Sequence, residues 1–502
     1  MTEDEYVTLL AATRDELCSV EFLACPALHP TRQAVALRAR LGLIATAPAT
    51  PTGFRARLRL TAPWLVLFVY CARRALTLLV VRMAAWAVGV RQHTPVDLVM
   101  RSWAVASVVA AVPRDFYFGG LQDSLAAEGV RVVRLLRRVG RSSQLKATLQ
   151  LLRMRRGDVL PEDLFVSPLE PIRILLRLAA ARLRLRRGSE PAAGTPAAIV
   201  RAAVRNDLSS VETAVALEIY AASRAAAHRL RPRAYVTFYE GFSWEPCAWR
   251  GIDEAGVDTT IVGFNHTVIC VANYAMRHPR RSAWYRSVPD HVFCAGEVQR
   301  ELVAASHHGL GVPVETLGSP RVLSAPSPPA LSPTHDVIVI PEGLIDEIRT
   351  FFVFIAETNA IAPQLKFLVR LHPVLPFDRL PADVQGLVAG RANVELSQDT
   401  DFTTAVRRCR FALYSGSSAV LEAMTHRVLP LYLPGEENLD PLVEGTGVRV
   451  ACRNAAELLW AIRAFEQRRP AEQLEMRDRA AAAAARYAVA FRPQVLRALV
   501  TA

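Results

Sequence analysis

The chain has 502 residues, which is enough for two or three domains that each bury their own core. Hydrophobic residues make up 51% of it and charged residues only 21%, a balance that excludes large-scale disorder. The formal net charge is +13, carried almost wholly by arginine, because lysine occurs only at Lys146 and Lys366. That sign favours an acidic partner, such as nucleotide phosphates or an anionic lipid surface. No zinc-finger spacing or RNA-binding signature is present, so we expect no nucleic-acid partner.

The eight cysteines are scattered and form no C-x-x-C pair, which favours buried, reduced thiols in a cytosolic setting. No metal-ligand spacing is visible either, so we expect no metal site. The first residues, MTEDEYVTLL, are acidic and lack the positively charged start and apolar core of a secretory signal. We therefore expect the protein to work on the cytoplasmic side.

Residues 1–95 form the first predicted segment. Short apolar runs predict strands at Glu21–Ala24 and Leu41–Thr46, with a helix at Ala34–Arg40 between them. Proline and glycine then interrupt the pattern and separate this region from the apolar stretch that follows.

That stretch, Trp64–Val90, is the most apolar in the chain and has the length of a membrane span. Arg73, Arg74 and Arg82 lie inside it, and because each is costly at the centre of a bilayer, a spanning helix is not expected. Two interpretations stay open. One is a helix lying in the membrane interface, and the other is a buried helix whose arginines reach solvent.

Residues 96–323 form the first predicted lobe, which opens with a strand near Asp97. A turn at Gly119 and Gly120 allows close approach of the backbone, and the polar side chains of Asp115 and Tyr117 stand near the strand end. A second interpretation treats these residues as a helix-start turn with partly buried aromatics.

A basic helical insertion at 141–230 interrupts this lobe. It contains predicted helices at Gln144–Arg156, Ile172–Arg187 and Ala197–Leu230. In the second helix arginines are interleaved with leucines, which is typical of the solvated face of a packed helix. Contact with a membrane surface or an acceptor glycan stays open as the alternative.

The next predicted strand, Ala234–Tyr239, ends at Glu240 and Gly241. A carboxylate just past a buried strand is partly desolvated, which raises its pKa toward the range useful for a general base. Glu240 is therefore the candidate base and Glu245 the second candidate. The alternative is that each is an acid that satisfies backbone donors at the start of a helix.

Three further predicted strands complete this lobe: Thr259–Phe264, which leads to Asn265 and His266, then Asp290–Ala295 and Val314–Leu317. Strands that alternate with helices indicate a parallel sheet with right-handed crossovers. A proline-rich linker at 324–334 follows, and its composition predicts a stiff, extended boundary between domains.

The second predicted lobe spans 335–480, and residues 481–502 form a terminal helix. Its first strand, Asp336–Ile340, leads to another acidic-glycine turn at Glu342 and Gly343. Two more buried strands, Lys366–Leu371 and Phe411–Tyr414, end in polar residues. In open α/β sheets ligands bind beyond the carboxyl ends of the strands, so we expect the site there.

His372-Pro373 follows the first of these strands, and Ser415-Gly416-Ser417-Ser418 follows the second. Gly416 permits a tight turn, and free backbone N–H groups at the start of the next helix attract an anion such as phosphate. The imidazole of His372 can donate to a phosphate or protonate a leaving group. A simple helix N-cap by Ser417 or Ser418 is the alternative.

The order of an acidic-glycine turn, an HP dipeptide and a serine-rich turn resembles bacterial capsule and surface-polysaccharide glycosyltransferases of the GT-B type. These include the bacterial sialyltransferase and polysialyltransferase families and the surface carbohydrate biosynthesis families. The similarity runs from about Asp97 to about Phe465, and its DFYFGGL segment resembles a DxYFGxL stretch of those families. Many members have two acidic residues where this chain has Tyr239-Glu240-Gly241.

The resemblance implies an α/β fold with two Rossmann-like lobes facing each other across a cleft and a helical, membrane-proximal N-terminal elaboration. It also implies a donor in the second lobe, near Glu342, Gly343, His372, Pro373 and the Ser415 to Ser418 turn. Asp115, Tyr117 and His266 would then stand on the acceptor side, and the terminal helix would return to the first lobe.

The implied function is metal-independent, inverting transfer of a sugar from a nucleotide-sugar cosubstrate, with a CMP-activated acidic sugar as the donor, to a glycan or lipid-linked acceptor. No other cofactor is expected, and the protein would be peripheral on the inner face of the cell membrane. Three alternatives remain: a CDP-alcohol phosphotransferase of the teichoic-acid type, a nucleotide-sugar epimerase, and a non-catalytic scaffold that binds glycan or membrane.

Overall fold

The computed structural model describes residues 1–31, 35–43, 61–89, 95–104, 115–138, 144–154, 157–282, 285–323, 333–373, 375–399, 401–435, 439–442 and 447–501. Two fully parallel sheets with helices packed on them form two lobes. Most of the predicted 324–334 linker lies outside the described residues.

The sheet of the first lobe has seven strands in the order β3-β2-β1-β4-β5-β6-β7. All of its neighbouring strands pair in parallel. The strands are β1 (Leu98–Ala104), β2 (Val132–Arg138), β3 (Val159–Pro161), β4 (Ala234–Phe238), β5 (Thr260–Asn265), β6 (His291–Cys294) and β7 (Val314–Thr316). The central strands are buried on both faces, which is why they are continuous apolar runs in the sequence.

The sheet of the second lobe has six parallel strands in the order β10-β9-β8-β11-β12-β13. They are β8 (His335–Val339), β9 (Phe367–Val369), β10 (Val394–Leu396), β11 (Cys409–Tyr414), β12 (Leu429–Tyr432) and β13 (Val450–Ala451). In each lobe the strand order reverses once, between β1 and β4 and between β8 and β11. These two orders confirm the predicted pair of Rossmann-like lobes, and each reversal opens a crevice at the carboxyl ends of the strands.

Helices cover the first lobe and extend beyond it as an N-terminal layer. They are α1 (Glu3–Glu16), α2 (Val20–Leu23), α3 (Val35–Arg40), α4 (Pro63–Val88), α5 (Leu121–Ala127), α6 (Gln144–Arg153), α7 (Glu170–Arg187), α8 (Pro196–Asp207), α9 (Val211–Leu230), α10 (Trp244–Asp253), α11 (Tyr274–Arg277) and α12 (Glu297–Ser306), with 3-10 turns at Pro26–Leu28 and Glu162–Phe165.

The structure corrects two predictions in this region. The strand predicted at Glu21–Ala24 is wrong, because α2 occupies this stretch and the Glu21 carboxylate accepts hydrogen bonds from Arg177 and Arg184 of α7. The single helix predicted at 197–230 is two helices, because the side chain of Ser210 accepts from the N–H of Thr213 and starts α9 anew. The helix predicted at 34–40 is confirmed by α3. Residues 41–43 form a turn, and 44–46 lie outside the described residues.

The helices of the second lobe are α13 (Ile345–Ile361), α14 (Ala382–Gly386), α15 (Phe402–Arg407), α16 (Ala419–Thr425), α17 (Ala455–Glu466), α18 (Pro470–Ala485) and α19 (Pro493–Thr501), with a 3-10 turn at Phe377–Arg379. The single terminal helix predicted at 481–502 is therefore wrong, because α18 ends at Ala485 and α19 begins at Pro493. Pro470 and Pro493 begin these two helices, since proline suits the first turn of a helix.

The end of the chain joins the two lobes. Ala480 and Ala484 of α18 lie in the core of the second lobe, whereas Leu496 and Val500 of α19 pack with Phe118 in the core of the first. Between them the backbone runs so close to Gly296 that a Cβ there would lie 2.3 Å from the Arg486 carbonyl oxygen. The terminal helix therefore returns to the first lobe.

Candidate functional site

The crevice of the second lobe brings together three of the predicted motifs, each at the carboxyl end of a neighbouring strand. Glu342 and Gly343 follow β8, His372 follows β9, and Gly416 follows β11. Gly343 has φ +92°, and a Cβ there would lie 3.0 Å from the Cβ of His372. A Cβ on Gly416 would lie 2.7 Å from Oε1 of Glu342, so the carboxylate rests directly against the serine-rich turn.

The serine-rich turn does not use its N-cap hydroxyl to cap the helix that follows it. Ser418 precedes α16, yet its side chain makes no capping hydrogen bond. Ser415 and Ser417 are half-buried, and Ser418, His372 and Pro373 are exposed. A Cβ added at Gly435 would lie 3.2 Å from Oγ of Ser415, so the segment after β12 closes one side of the turn. These hydroxyls can therefore donate to a ligand in the crevice.

In the first lobe Glu240 lies at the equivalent reversal point, just beyond β4. The side chain of Glu245 accepts hydrogen bonds from the N–H groups of Glu240 and Gly241, at 2.8 and 2.9 Å. Glu245 is fully buried, and burial together with the charge of Glu240 raises its pKa well above the usual value. Glu245 thus shapes the turn from inside the protein, whereas the carboxylate of Glu240 is 18% exposed.

His266 lies beside Glu240. Its Nε2 atom is 3.9 Å from Oε1 of Glu240, and its ring lies 4.8 Å from those of Tyr117 and Phe238. Burial, reinforced by the charge of Arg321, lowers the pKa of His266 to about 3. The imidazole is therefore neutral near pH 7, and among the described residues Nδ1 has no hydrogen-bond partner.

Asp115 and Tyr117, both predicted on the acceptor side, have different environments. Asp115 is buried, and its Oδ1 atom accepts from the N–H groups of Tyr117 and Phe118 at 2.8 and 3.0 Å, which closes the turn before α5. The ring of Tyr117 lines the space beside His266, and burial, together with the charge of Glu240, raises its pKa. Asp115 therefore builds the turn, and Tyr117 reaches the crevice.

Arg321 is a cleft residue that the sequence analysis did not single out. It follows β7, and its guanidinium lies 4.0 Å from the ring centroid of Phe116. Its charge acts on His266 and Tyr117 of the first lobe and also on Glu422 of α16 in the second lobe. The guanidinium makes no hydrogen bond or ion pair with the residues described. Arg321 is thus close enough to both lobes to act on titratable groups of each, and a search of the segment beyond β7 would have found it.

The sequence also contains an internal repeat that was not recognised from pattern alone. Residues 240–245 are EGFSWE and residues 342–347 are EGLIDE. In the second copy the N–H of Glu342 donates to Oε2 of Glu347 at 2.7 Å, as the N–H of Glu240 does to Glu245. Both copies place a positive-φ glycine directly after the first glutamate. The two lobes therefore hold their crevice carboxylates by the same local device.

No cluster of three histidine, cysteine, aspartate or glutamate side chains suited to a metal occurs in the described ranges.

No protein-family profile and no curated protein sequence matches this chain. Solved structures do show similarity over most of its length. A UDP-GlcNAc 2-epimerase from Neisseria meningitidis bound to UDP-GlcNAc is 12% identical, with 81% of this chain and 100% of that chain covered and a TM-score of 0.44. The calicheamicin glycosyltransferase CalG4 is 15% identical, covering 81% and 98%, with a TM-score of 0.43. MurG from Acinetobacter baumannii is 12% identical, covering 82% and 99%, with a TM-score of 0.40. At these scores the fold assignment depends on the strand orders above.

Proposed function

We propose that this protein is a glycosyltransferase that moves a sugar from a nucleotide-activated donor in the second lobe to an acceptor hydroxyl in the first. The observation that supports it best is the arrangement around Arg321. Glu240, beside the neutral imidazole of His266, and the serine-rich turn each lie at a strand reversal of their own lobe. The charge of Arg321 acts on groups of both lobes.

In this mechanism Glu240 accepts the proton of the acceptor hydroxyl as its oxygen attacks the anomeric carbon of the donor. The bond between that carbon and the phosphate oxygen breaks, and the phosphate leaves with the bonding electron pair. Backbone N–H groups and hydroxyls of the Ser415 to Ser418 turn, with His372, donate to the departing phosphate oxygens. We include inversion at the anomeric carbon and metal independence in the proposal, because Arg321 and these donors supply positive charge.

The donor that we propose is a CMP-activated acidic sugar. Arg321 supports this choice, because a guanidinium between the two crevices can bind either a phosphate or the carboxylate of such a sugar. The net charge of +13 also supports an acidic donor, because it attracts anionic substrates. The acceptor would be a surface glycan or a lipid-linked sugar.

Thermal stabilisation of the full chain by CMP, CDP, UDP and GDP tests the donor site. A ligand that binds only the folded state raises the unfolding temperature with the logarithm of its concentration. We expect CMP to stabilise the wild type and His372→Ala to lose that shift, whereas His308→Ala, at an exposed histidine outside the crevices, should keep it. Stabilisation by UDP alone would refute the CMP donor, and no response to any nucleotide would refute the nucleotide site.

Product analysis then separates sugar transfer from the alternatives. Glu240→Gln should keep the nucleotide shift yet lose transfer to an acceptor by about a hundredfold or more, the usual contribution of a general base. Conversion of donor without any acceptor would instead indicate an epimerase, and transfer of an alcohol phosphate would indicate the teichoic-acid type. Unchanged transfer by Glu240→Gln would remove Glu240 from the mechanism.

A further inference from the structure

One face of the helix α4 is buried and the opposite face is exposed to solvent. Its inner face consists of Leu67, Cys71, Arg74, Leu78, Val81 and Ala85, which recur at spacings of three and four residues and are buried along the whole helix. Its outer face is also apolar but exposed to solvent, with Leu76 63% and Trp86 86% exposed. The other large apolar side chains on that face are Leu65, Phe68, Val69, Leu79 and Met83.

A buried ion network holds α4 flat against the first lobe. Arg74 pairs with Asp163 and, at 2.9 Å, with Glu218. Arg137 of β2 contacts the same Glu218 at 3.0 Å. Among the described residues α4 is the one helix long and apolar enough to cross a membrane. Because taking Arg74 out of this network would remove a charge partner of two buried carboxylates, α4 lies along the protein and does not cross a bilayer as a separate span.

The helix α7 extends the exposed apolar face. The guanidinium of Arg182, near the end of α7, lies 5.5 Å from the ring of Trp64 at the start of α4. At the other end of α4, Arg82 contacts the Val166 carbonyl, which precedes α7. The two helices therefore run antiparallel. Leu176 on α7 is 65% exposed, and Ile172 and Leu183 are exposed with it.

The charges around this apolar face are almost all positive. The helix α4 contains no acidic residue, and α7 contains only Glu170, which pairs with Arg173 at 3.4 Å. Arg73, Arg186 and Arg187 are exposed. We call the exposed side chains of α4 and α7, with these arginines, the apolar-basic face. An apolar surface with a positive rim has the composition of a helix pair that lies in the interface of an anionic bilayer.

We propose that the apolar-basic face docks the protein onto an anionic lipid bilayer, with both helices parallel to the membrane plane. Apolar side chains of α4 and α7 enter the boundary between headgroups and acyl chains, and the arginines contact anionic headgroups. A second copy of this chain fits the face less well than a bilayer does. In a two-fold contact the arginines of one copy would face the same arginines of the other, and their like charges would repel. The proposal does not depend on the sugar-transfer function, since it concerns a surface away from the crevices.

Flotation of the full chain with lipid vesicles tests the docking. The vesicles are phosphatidylcholine alone or phosphatidylcholine with phosphatidylglycerol. The test variant is Leu76→Glu with Met83→Glu, on the outer face of α4. The matched control is Trp460→Glu with Leu474→Glu, two exposed apolar residues of the second lobe. Deletion of 64–90 is unsuitable, because it would also remove the buried face of α4.

We expect the wild type and the control to float with anionic vesicles and the test variant to bind at least tenfold more weakly. Arg73→Gln should weaken binding to anionic vesicles and reduce its dependence on salt. Circular dichroism and thermal unfolding identify a variant that has lost its fold. Equal flotation of test variant and wild type would overturn the proposal. Failure of the wild type to bind either kind of vesicle would also overturn it. So would light scattering that shows the wild type as a dimer and the test variant alone as a monomer.

Discussion

Gly343→Ala is the most direct test of the second-lobe crevice. Gly343 has φ +92°, a backbone conformation that costs a residue with a side chain about 1–2 kcal/mol. The added Cβ would also lie 3.0 Å from the Cβ of His372, closer than ordinary van der Waals contact. Alanine at this position must therefore push His372 away by a few tenths of an ångström.

Gly390→Ala is its matched control in the same lobe. Gly390 has φ +73°, so its backbone strain is similar, but a Cβ there meets no atom within 4 Å. We expect Gly343→Ala to lower the free energy of unfolding by about 1–3 kcal/mol and Gly390→Ala by about 1–2 kcal/mol. Only the first should weaken nucleotide binding, by about tenfold, or about 1.4 kcal/mol.

Urea unfolding gives the two stabilities, and titration of the best nucleotide gives the two dissociation constants. If His372 and the turn after β8 form one phosphate site, the two variants separate in binding and are similar in stability. Equal nucleotide affinity for Gly343→Ala and the wild type would refute the placement of His372 in the site. An equal loss of affinity in Gly390→Ala would show that the effect is global.

Three further predictions concern charged groups. Arg321→Gln should raise the dissociation constant of the donor nucleotide sugar about tenfold, because it removes a charge-assisted contact. In the same titration the control Arg453→Gln, at an exposed arginine outside the crevices, should leave that constant unchanged. Arg74→Met should lower the free energy of urea unfolding by about 3–5 kcal/mol, because it removes the arginine that pairs with the buried carboxylates of both Asp163 and Glu218. Arg73→Met, at the exposed neighbouring position, should change it by less than about 0.5 kcal/mol. The folded pKa of Glu245 is raised, so its contribution to stability is complete below about pH 4.3 and is lost as the pH rises toward the folded pKa. Glu245→Gln does not titrate, so its stability relative to the wild type should increase as the pH rises above about 4.3, and a pH-independent difference would contradict this.

The positions of the crevice residues follow from a local rule, which is why the sequence located them. A parallel strand buried on both faces is an apolar run, and its carboxyl end is marked by the first polar or glycine residues. Glu240, Glu342, His372 and Ser415 all stand at such ends. Arg321 was missed because it stands several residues beyond the end of β7 and because its importance depends on the way in which the lobes face each other. That orientation is tertiary information.

The same rule fails where local pattern and tertiary contacts disagree. Val159–Pro161 was not predicted as a strand, because three residues ending in proline carry almost no periodic signal. Pro430 argues against a strand at β12, because proline has no N–H to donate to a neighbouring strand. It is tolerated here because β13 is so short that it pairs only with Leu431 and Tyr432. Glu21 stands in a helix whose position depends on arginines of α7, more than 150 residues away in sequence.

The repeated EGxxxE pattern explains why similar carboxylates can have different roles in the two lobes. In each copy the second glutamate accepts the N–H of the first, so the turn is fixed and the first carboxylate stays at the crevice. What differs is the neighbour of that first carboxylate. Glu240 stands beside the neutral imidazole of His266, a setting in which a carboxylate can take a proton from a hydroxyl. Glu342 rests against Gly416 of the serine-rich turn, where it can accept hydrogen bonds from a bound ligand. Because the motif is the same in both lobes, the proposed roles of Glu240 as base and Glu342 as a donor-side group depend on the residues that surround each carboxylate.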